Sequence, residues 1–136
     1  FAELERDIHR HAEQGQTLTA EYLNNLTDQL YGTYLGNAFE NEDLYKINWS
    51  RIPHFYYNFY VYQYATGFAA SEVLAKNVKT KGDPAVERYL NFLKAGSSDY
   101  PINILKTAGV DMNSPEPVLA VSARMNQVLD EMEELL

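Results

Sequence analysis

Five tyrosines fall within eleven residues of one stretch, RIPHFYYNFYVYQYATGFAAS (residues 51–71), and all of them follow a single histidine, His54. Pro53 stands where a first-turn proline belongs, so the stretch predicts a long helix over about residues 53–78. On a 3.6-residue period His54, Tyr57, Val61, Tyr64 and Phe68 form one stripe. Tyr56, Tyr60 and Gln63 form a second, and Phe55, Phe59 and Tyr62 a third. Such a helix is aromatic nearly all the way round and has to be covered on most sides.

Two readings of these rings stand side by side. In the first, the tyrosines fill a core with their hydroxyls tied to backbone carbonyls. In the second, some hydroxyls serve chemistry. Phenylalanine fills the same space without an O–H that needs a partner, and a buried unsatisfied hydroxyl costs about 1–3 kcal/mol. Several phenols beside one imidazole make an array of proton donors.

The rest of the chain also reads as helix. Phe1, Leu4, Ile8 and Ala12 share a face of a first helix that runs to about Gln14 and stops at Gly15. Thr19 is a candidate N-cap for a helix over about 20–35, with Leu23, Leu26, Leu30 and Tyr34 at helical spacing and Gly36 at its end. Residues 37–50 show neither period and read as a loop carrying Trp49. Gly67, inside the tyrosine helix, costs about 1 kcal/mol relative to alanine and points to close packing or a bend. Asp83 as N-cap, Pro84 in the first turn and Gly96 past the end bracket another helix. Pro101 to Gly109 repeats the pattern on a smaller scale. Ser114 caps a last helix begun by Pro115, with Val118, Val121, Met125, Val128, Met132 and Leu135 along one apolar seam. No segment alternates like a strand. The expected fold is all-α, a bundle of about six helices in one domain over residues 1–136.

Composition removes several function classes. The net charge of −8 argues against a nucleic-acid partner, which requires clustered Lys and Arg. No apolar run reaches the length of a membrane span. The absence of cysteine rules out thiolate metal sites and a cysteine nucleophile, and it suits a reducing cytoplasm. His9 and His11, two apart on a helix, point away from each other; His9 with Glu13 is a weak chelating pair. No His-Glu-x-x-His motif and no glycine-rich phosphate loop occurs, so neither a metal nor a bound cofactor is expected within this chain. The sequence opens on Phe1 and ends on LDEMEELL, which suggests a piece of a longer polypeptide.

IPHFYYNFYVYQYATGFAAS resembles the segment downstream of the zinc site in oligoendopeptidase F enzymes, zinc metallopeptidases related to thimet oligopeptidase. FAELERDIH, GQTLTAEYLN and AGVDMNSPEPV are similar to that family as well, so the resemblance covers essentially the whole chain. It implies the C-terminal portion of a larger helical metallopeptidase catalytic domain. The zinc ligands and the general-base glutamate would lie upstream, in the remainder of the same polypeptide, leaving this part inert alone. The resemblance further implies that His54, Tyr57 and Tyr64 are catalytic, facing the scissile bond of a short peptide substrate. The interval from His54 to Tyr57 is shorter than in thimet-like relatives, which carry a glycine-rich insert there. Zinc-activated water attacking a carbonyl places negative charge on its oxygen, and a preorganised phenol or imidazole N–H stabilises that charge.

Two rivals remain at this level: a non-catalytic helical module whose aromatic surface binds a partner, and, more remote, a metal-binding four-helix bundle. Apolar surface normally covered by the upstream remainder would be open in the isolated piece, which could then self-associate.

Overall fold

The computed structural model describes residues 1–36 and 43–136. Among the described residues there are seven α-helices, two 3₁₀ turns and no strand. The chain divides into two compact units, residues 1–63 and 64–136.

The first unit is built on α1 (Ala2–Glu13) and α2 (Ala20–Leu35). Thr19 caps α2 as its residue type predicts, its Oγ1 accepting the Tyr22 N–H at 3.1 Å. Leu4 and Leu23 supply buried apolar contact, and Thr27 is buried beside them. Its hydroxyl causes no deficit, because it donates back to the Leu23 carbonyl at 2.7 Å. Of the expected loop over 37–50, residues 37–42 lie outside the described residues. The remainder is helical rather than loop: α3 (Asp43–Lys46), then a 3₁₀ turn over Asn48–Arg51. Side chains fasten this turn to α2. The Trp49 indole N–H donates to Asn24 Oδ1 at 2.8 Å, and the Asn48 amide donates to the Tyr31 hydroxyl at 2.6 Å.

The expected helix over 53–78 is not one helix. Pro53–Tyr56 is a second 3₁₀ turn, residues 57–61 break the ladder, and α4 begins only at Tyr62 and runs to Lys81. The break has a defined cause. Asn58 and Phe59 have φ of 42° and 57°, the left-handed region that no residue of a right-handed helix can occupy. The 3.6-residue stripes drawn from His54 through Phe68 therefore do not exist as such. Nor is the stretch buried: Tyr56, Tyr57, Tyr62, Tyr64 and Phe68 are all at least half exposed.

In the second unit, Ala70, Val73 and Leu74 of α4 form a buried stripe with Ala108 and Val110. Tyr89 and Phe92 of α5 (Asp83–Ala95) pack on it. So do Leu105 of α6 (Pro101–Thr107) and Ala120 of α7 (Glu116–Glu133). Asp83 is the first helical residue rather than the cap, which is Gly82. Gly109 turns the chain out of α6 with φ of 92°, and a Cβ there would sit 3.7 Å from the buried Asn77 amide. Gly67 differs from expectation: a Cβ built on it meets nothing within 4 Å. The seam on α7 is largely open, with Val118, Met125, Met132 and Leu135 exposed.

Candidate active site

The 3₁₀ turn at Pro53 places His54 half-buried, with its carbonyl accepting the Tyr57 N–H at 3.0 Å. The chain then reverses at Asn58 and Phe59 and returns Tyr60 to the histidine. The His54 and Tyr60 rings stack with centroids 5.8 Å apart and planes 21° from parallel. Tyr57 meets Tyr60 edge-on at 6.1 Å. His54, Tyr57 and Tyr60 thus form one ring cluster within the first unit. Beside it, Phe1, Asn48, Arg51, Ile52, Pro53 and His54 line a shallow cleft of about 260 Å³. Tyr64 belongs to the second unit, in the first turn of α4, and is 60% exposed.

The reversal is held from α1. The Phe59 N–H donates to Glu5 Oε1 at 2.9 Å, and Glu5 is 2% exposed. One turn further along α1, the His9 imidazole stacks on the Phe59 ring at 4.1 Å and 27°. His11 is engaged elsewhere, stacked on Tyr22 at 3.7 Å with Nε2 3.3 Å from the Thr17 carbonyl oxygen. Among the described residues no group of three His, Asp or Glu side chains is disposed to hold a metal ion.

Nearby charge is concentrated on the outer side of α1. The Tyr34 hydroxyl donates to Glu3 Oε2 at 2.6 Å, and Arg6 donates to Glu3 Oε1 at 2.7 Å. Together they hold the Glu3 carboxyl below its ordinary range, the Tyr34 bond contributing most. The same bond pushes the Tyr34 phenol up. Arg6 likewise holds Asp7 low.

Sequence reasoning placed Tyr60 on a different stripe from His54 and found no role for Glu5. Asn58 was the available signal: asparagine tolerates the left-handed region better than other side chains, and here it precedes an aromatic residue that does not. The acceptor that stabilises the reversal lies 54 positions upstream. No local pattern encodes that pairing.

Comparison with known proteins gives a consistent result. The profile described as peptidase family M3 matches residues 1–124. The chain is 53% identical over all 136 residues to oligopeptidase PepF of Bacillus subtilis, covering 20% of that protein. It is 48% identical to group B oligopeptidase PepB of Streptococcus agalactiae, covering 23%. Among solved structures, oligoendopeptidase-F from Enterococcus faecium superposes with a TM-score of 0.86 at 45% identity, over 99% of this chain and 26% of that one. A putative peptidase from Chlamydophila abortus gives 0.82 at 42% identity, over 98% and 22%. The chain spans about a fifth of the length of the curated relatives it matches.

Proposed function

The chain belongs to peptidase family M3, and from that premise we propose that it is the C-terminal all-α portion of the catalytic domain of an oligoendopeptidase F-like zinc peptidase that hydrolyses short peptides. The observation that carries this reading is the identity of 53% with an oligopeptidase, sustained across all 136 residues. In this reading the zinc is held by the remainder of the longer polypeptide. The work of this chain is done by its own donors.

His54, Tyr57 and Tyr64 are the donors in this reading. As a peptide carbonyl is attacked its oxygen gains negative charge, and an imidazole N–H or phenol O–H held in place lowers the energy of that charged state more than that of the neutral carbonyl. The stacking of Tyr60 on His54 and its edge contact with Tyr57 support the assignment, because a ring held on its face needs no reorganisation when charge develops. Exposure supports it too: Tyr57 and Tyr64 are 63% and 60% exposed, so neither phenol is spent filling a core of this chain. No helix among the described residues is long and apolar enough to cross a membrane. The cysteine-free composition fits a cytoplasmic peptidase.

The test is hydrolysis of a short internally quenched peptide by the full-length polypeptide, with and without a zinc chelator. Hydrolysis abolished by the chelator and restored by zinc is the expected result. A full-length protein with no peptide hydrolysis returns the reading to a helical interaction module.

A further inference from the structure

A carboxylate taken out of water costs several kcal/mol unless hydrogen bonds compensate it. Glu5 is 2% exposed, yet its immediate sequence neighbours on α1 carry the ion pairs: Glu3, Arg6 and Asp7 bond to one another at the surface. Glu5 instead reaches the backbone of Phe59, 54 residues away, and accepts its N–H at 2.9 Å. Among the described residues only Asn58 and Phe59 are non-glycine residues with positive φ. Phe59 is bulky and has φ of 57°, directly after Asn58 at 42°. Left-handed conformation at a bulky side chain is costly and persists only where its surroundings impose it. The hydrogen bond that this amide donates to the buried Glu5 carboxyl is such an imposition.

The ring of the same residue is also gripped. His9, four positions after Glu5 and so on the same face of α1, stacks on Phe59 at 4.1 Å. Helix α1 therefore holds Phe59 at two points, amide and ring. The residue held is the one immediately before Tyr60, which covers His54, and two after Tyr57. Without the reversal the segment after Tyr57 could continue as helix, and Tyr60 would leave the His54 face.

We propose that Glu5 is a positioning residue for peptide hydrolysis: its buried carboxylate fixes the left-handed Asn58–Phe59 turn that presents His54, Tyr57 and Tyr60 as one cluster. The inference rests on the peptidase reading above for its catalytic consequence, and on the geometry alone for its structural one.

The experiment uses the full-length protein with Glu5→Ala, Glu5→Gln and Glu5→Asp, and reads amide hydrogen exchange of the segment 55–61 alongside steady-state kinetics. In Glu5→Ala, exchange of the segment accelerates by about tenfold or more as the turn loses its acceptor. The kcat falls by about tenfold to a hundredfold while KM changes by less than about threefold. Glu5→Gln keeps an acceptor oxygen at the same reach and restores both protection and kcat to within about threefold of wild type. Glu5→Asp retracts the carboxylate by one methylene at unchanged charge; it carries the test if the alanine variant does not fold, and loses protection and kcat in the same direction. Wild-type exchange in Glu5→Ala or, failing that, in Glu5→Asp overturns the inference. So does lost protection with kcat unchanged, or a Glu5→Gln variant as impaired as Glu5→Ala in both readouts. If wild-type protein hydrolyses no peptide, it is the peptidase reading that fails, and exchange alone then decides whether Glu5 holds the turn.

Discussion

The Tyr60 ring lies over the His54 ring, 5.8 Å between centroids, although the chain between them reverses its backbone handedness at Asn58 and Phe59. Six residues apart, the two could not stack in this way along an uninterrupted helix, where they would be 600° and hence about a third of a turn out of register. The reversal thus determines which tyrosine accompanies the histidine. If the stack orients His54, its ring matters more than its hydroxyl. Tyr60→Ala in the full-length enzyme should lower kcat about tenfold further than Tyr60→Phe does, with KM nearly equal in the two. Equal kcat for the two variants would remove Tyr60 as the support of His54.

The proposed donors are tested by removing one polar group at a time. His54→Ala, Tyr57→Phe and Tyr64→Phe should each reduce kcat by about 10²–10³ and move KM little, because the hydrogen bonds strengthen only as charge reaches the carbonyl oxygen. Both phenylalanine variants keep the ring, so thermal unfolding should barely shift. Zinc content, measured by atomic absorption, should match wild type, since none of the three is assigned as a ligand. Tyr62→Phe is the control. Tyr62 opens α4 and is half exposed, and its variant should retain wild-type kinetics. A Tyr62→Phe enzyme as slow as Tyr64→Phe would mean that the phenols act by a general packing effect.

The distribution of what was legible follows from the range of the interactions. Helix starts and stops are local, so Thr19 as the cap of α2, Gly96 past α5 and the proline-led α6 could all be read from a few adjacent residues. The all-α class follows from the same signals. The tyrosine segment failed as a helix for the opposite reason: Glu5 withdraws the Phe59 amide from any local partner, and a contact 54 residues long leaves no periodic trace. Burial was over-read for a related cause. Apolar seams such as Val118, Met125 and Met132 on α7 record surface that needs covering, whereas what covers it is not written in the seam. The resemblance implied His54, Tyr57 and Tyr64, whereas Tyr60 on His54 and Glu5 on the Phe59 amide are contacts made only in the folded chain.

The carboxylates of α1 give a pH dependence with a defined sign. Glu3 is held low by the Tyr34 hydroxyl and then by Arg6, so its folded pKa lies below its unfolded value. Stability from these bonds is fully present above the unfolded carboxylate value of about 4.3 and is lost as pH falls through the folded one. Tyr34 is shifted the other way. Its contribution is present below the phenol's ordinary value of about 10 and is lost as pH rises through the higher folded value. The difference in Tm between wild type and Glu3→Gln should therefore be flat across neutral pH and shrink toward zero in acid. Tyr34 is exposed and Glu3 half-buried, so added salt should shrink it as well. A difference that grows on acidification would contradict the assigned bond.

Gly67 provides a test of the helix on which the second unit is built. It lies within α4, is exposed, and a Cβ built on it finds open space to 4 Å. Its backbone is ordinary right-handed helix, unlike that of Gly109. Nothing among the described residues thus requires position 67 to lack a side chain, while glycine in a helix interior costs about 1 kcal/mol against alanine through the freedom it retains when unfolded. Gly67→Ala should raise the stability of the 136-residue chain by about that amount, a shift in Tm of about 4 °C for a unit of this size. The same substitution in the full-length polypeptide probes what lies beyond this chain. If residues outside it pack against α4 at Gly67, the added methyl will lower Tm there while raising it here, and the difference in sign locates a contact surface. A lowered Tm in the 136-residue chain itself would instead show that α4 is packed at Gly67 from within, contrary to the open geometry.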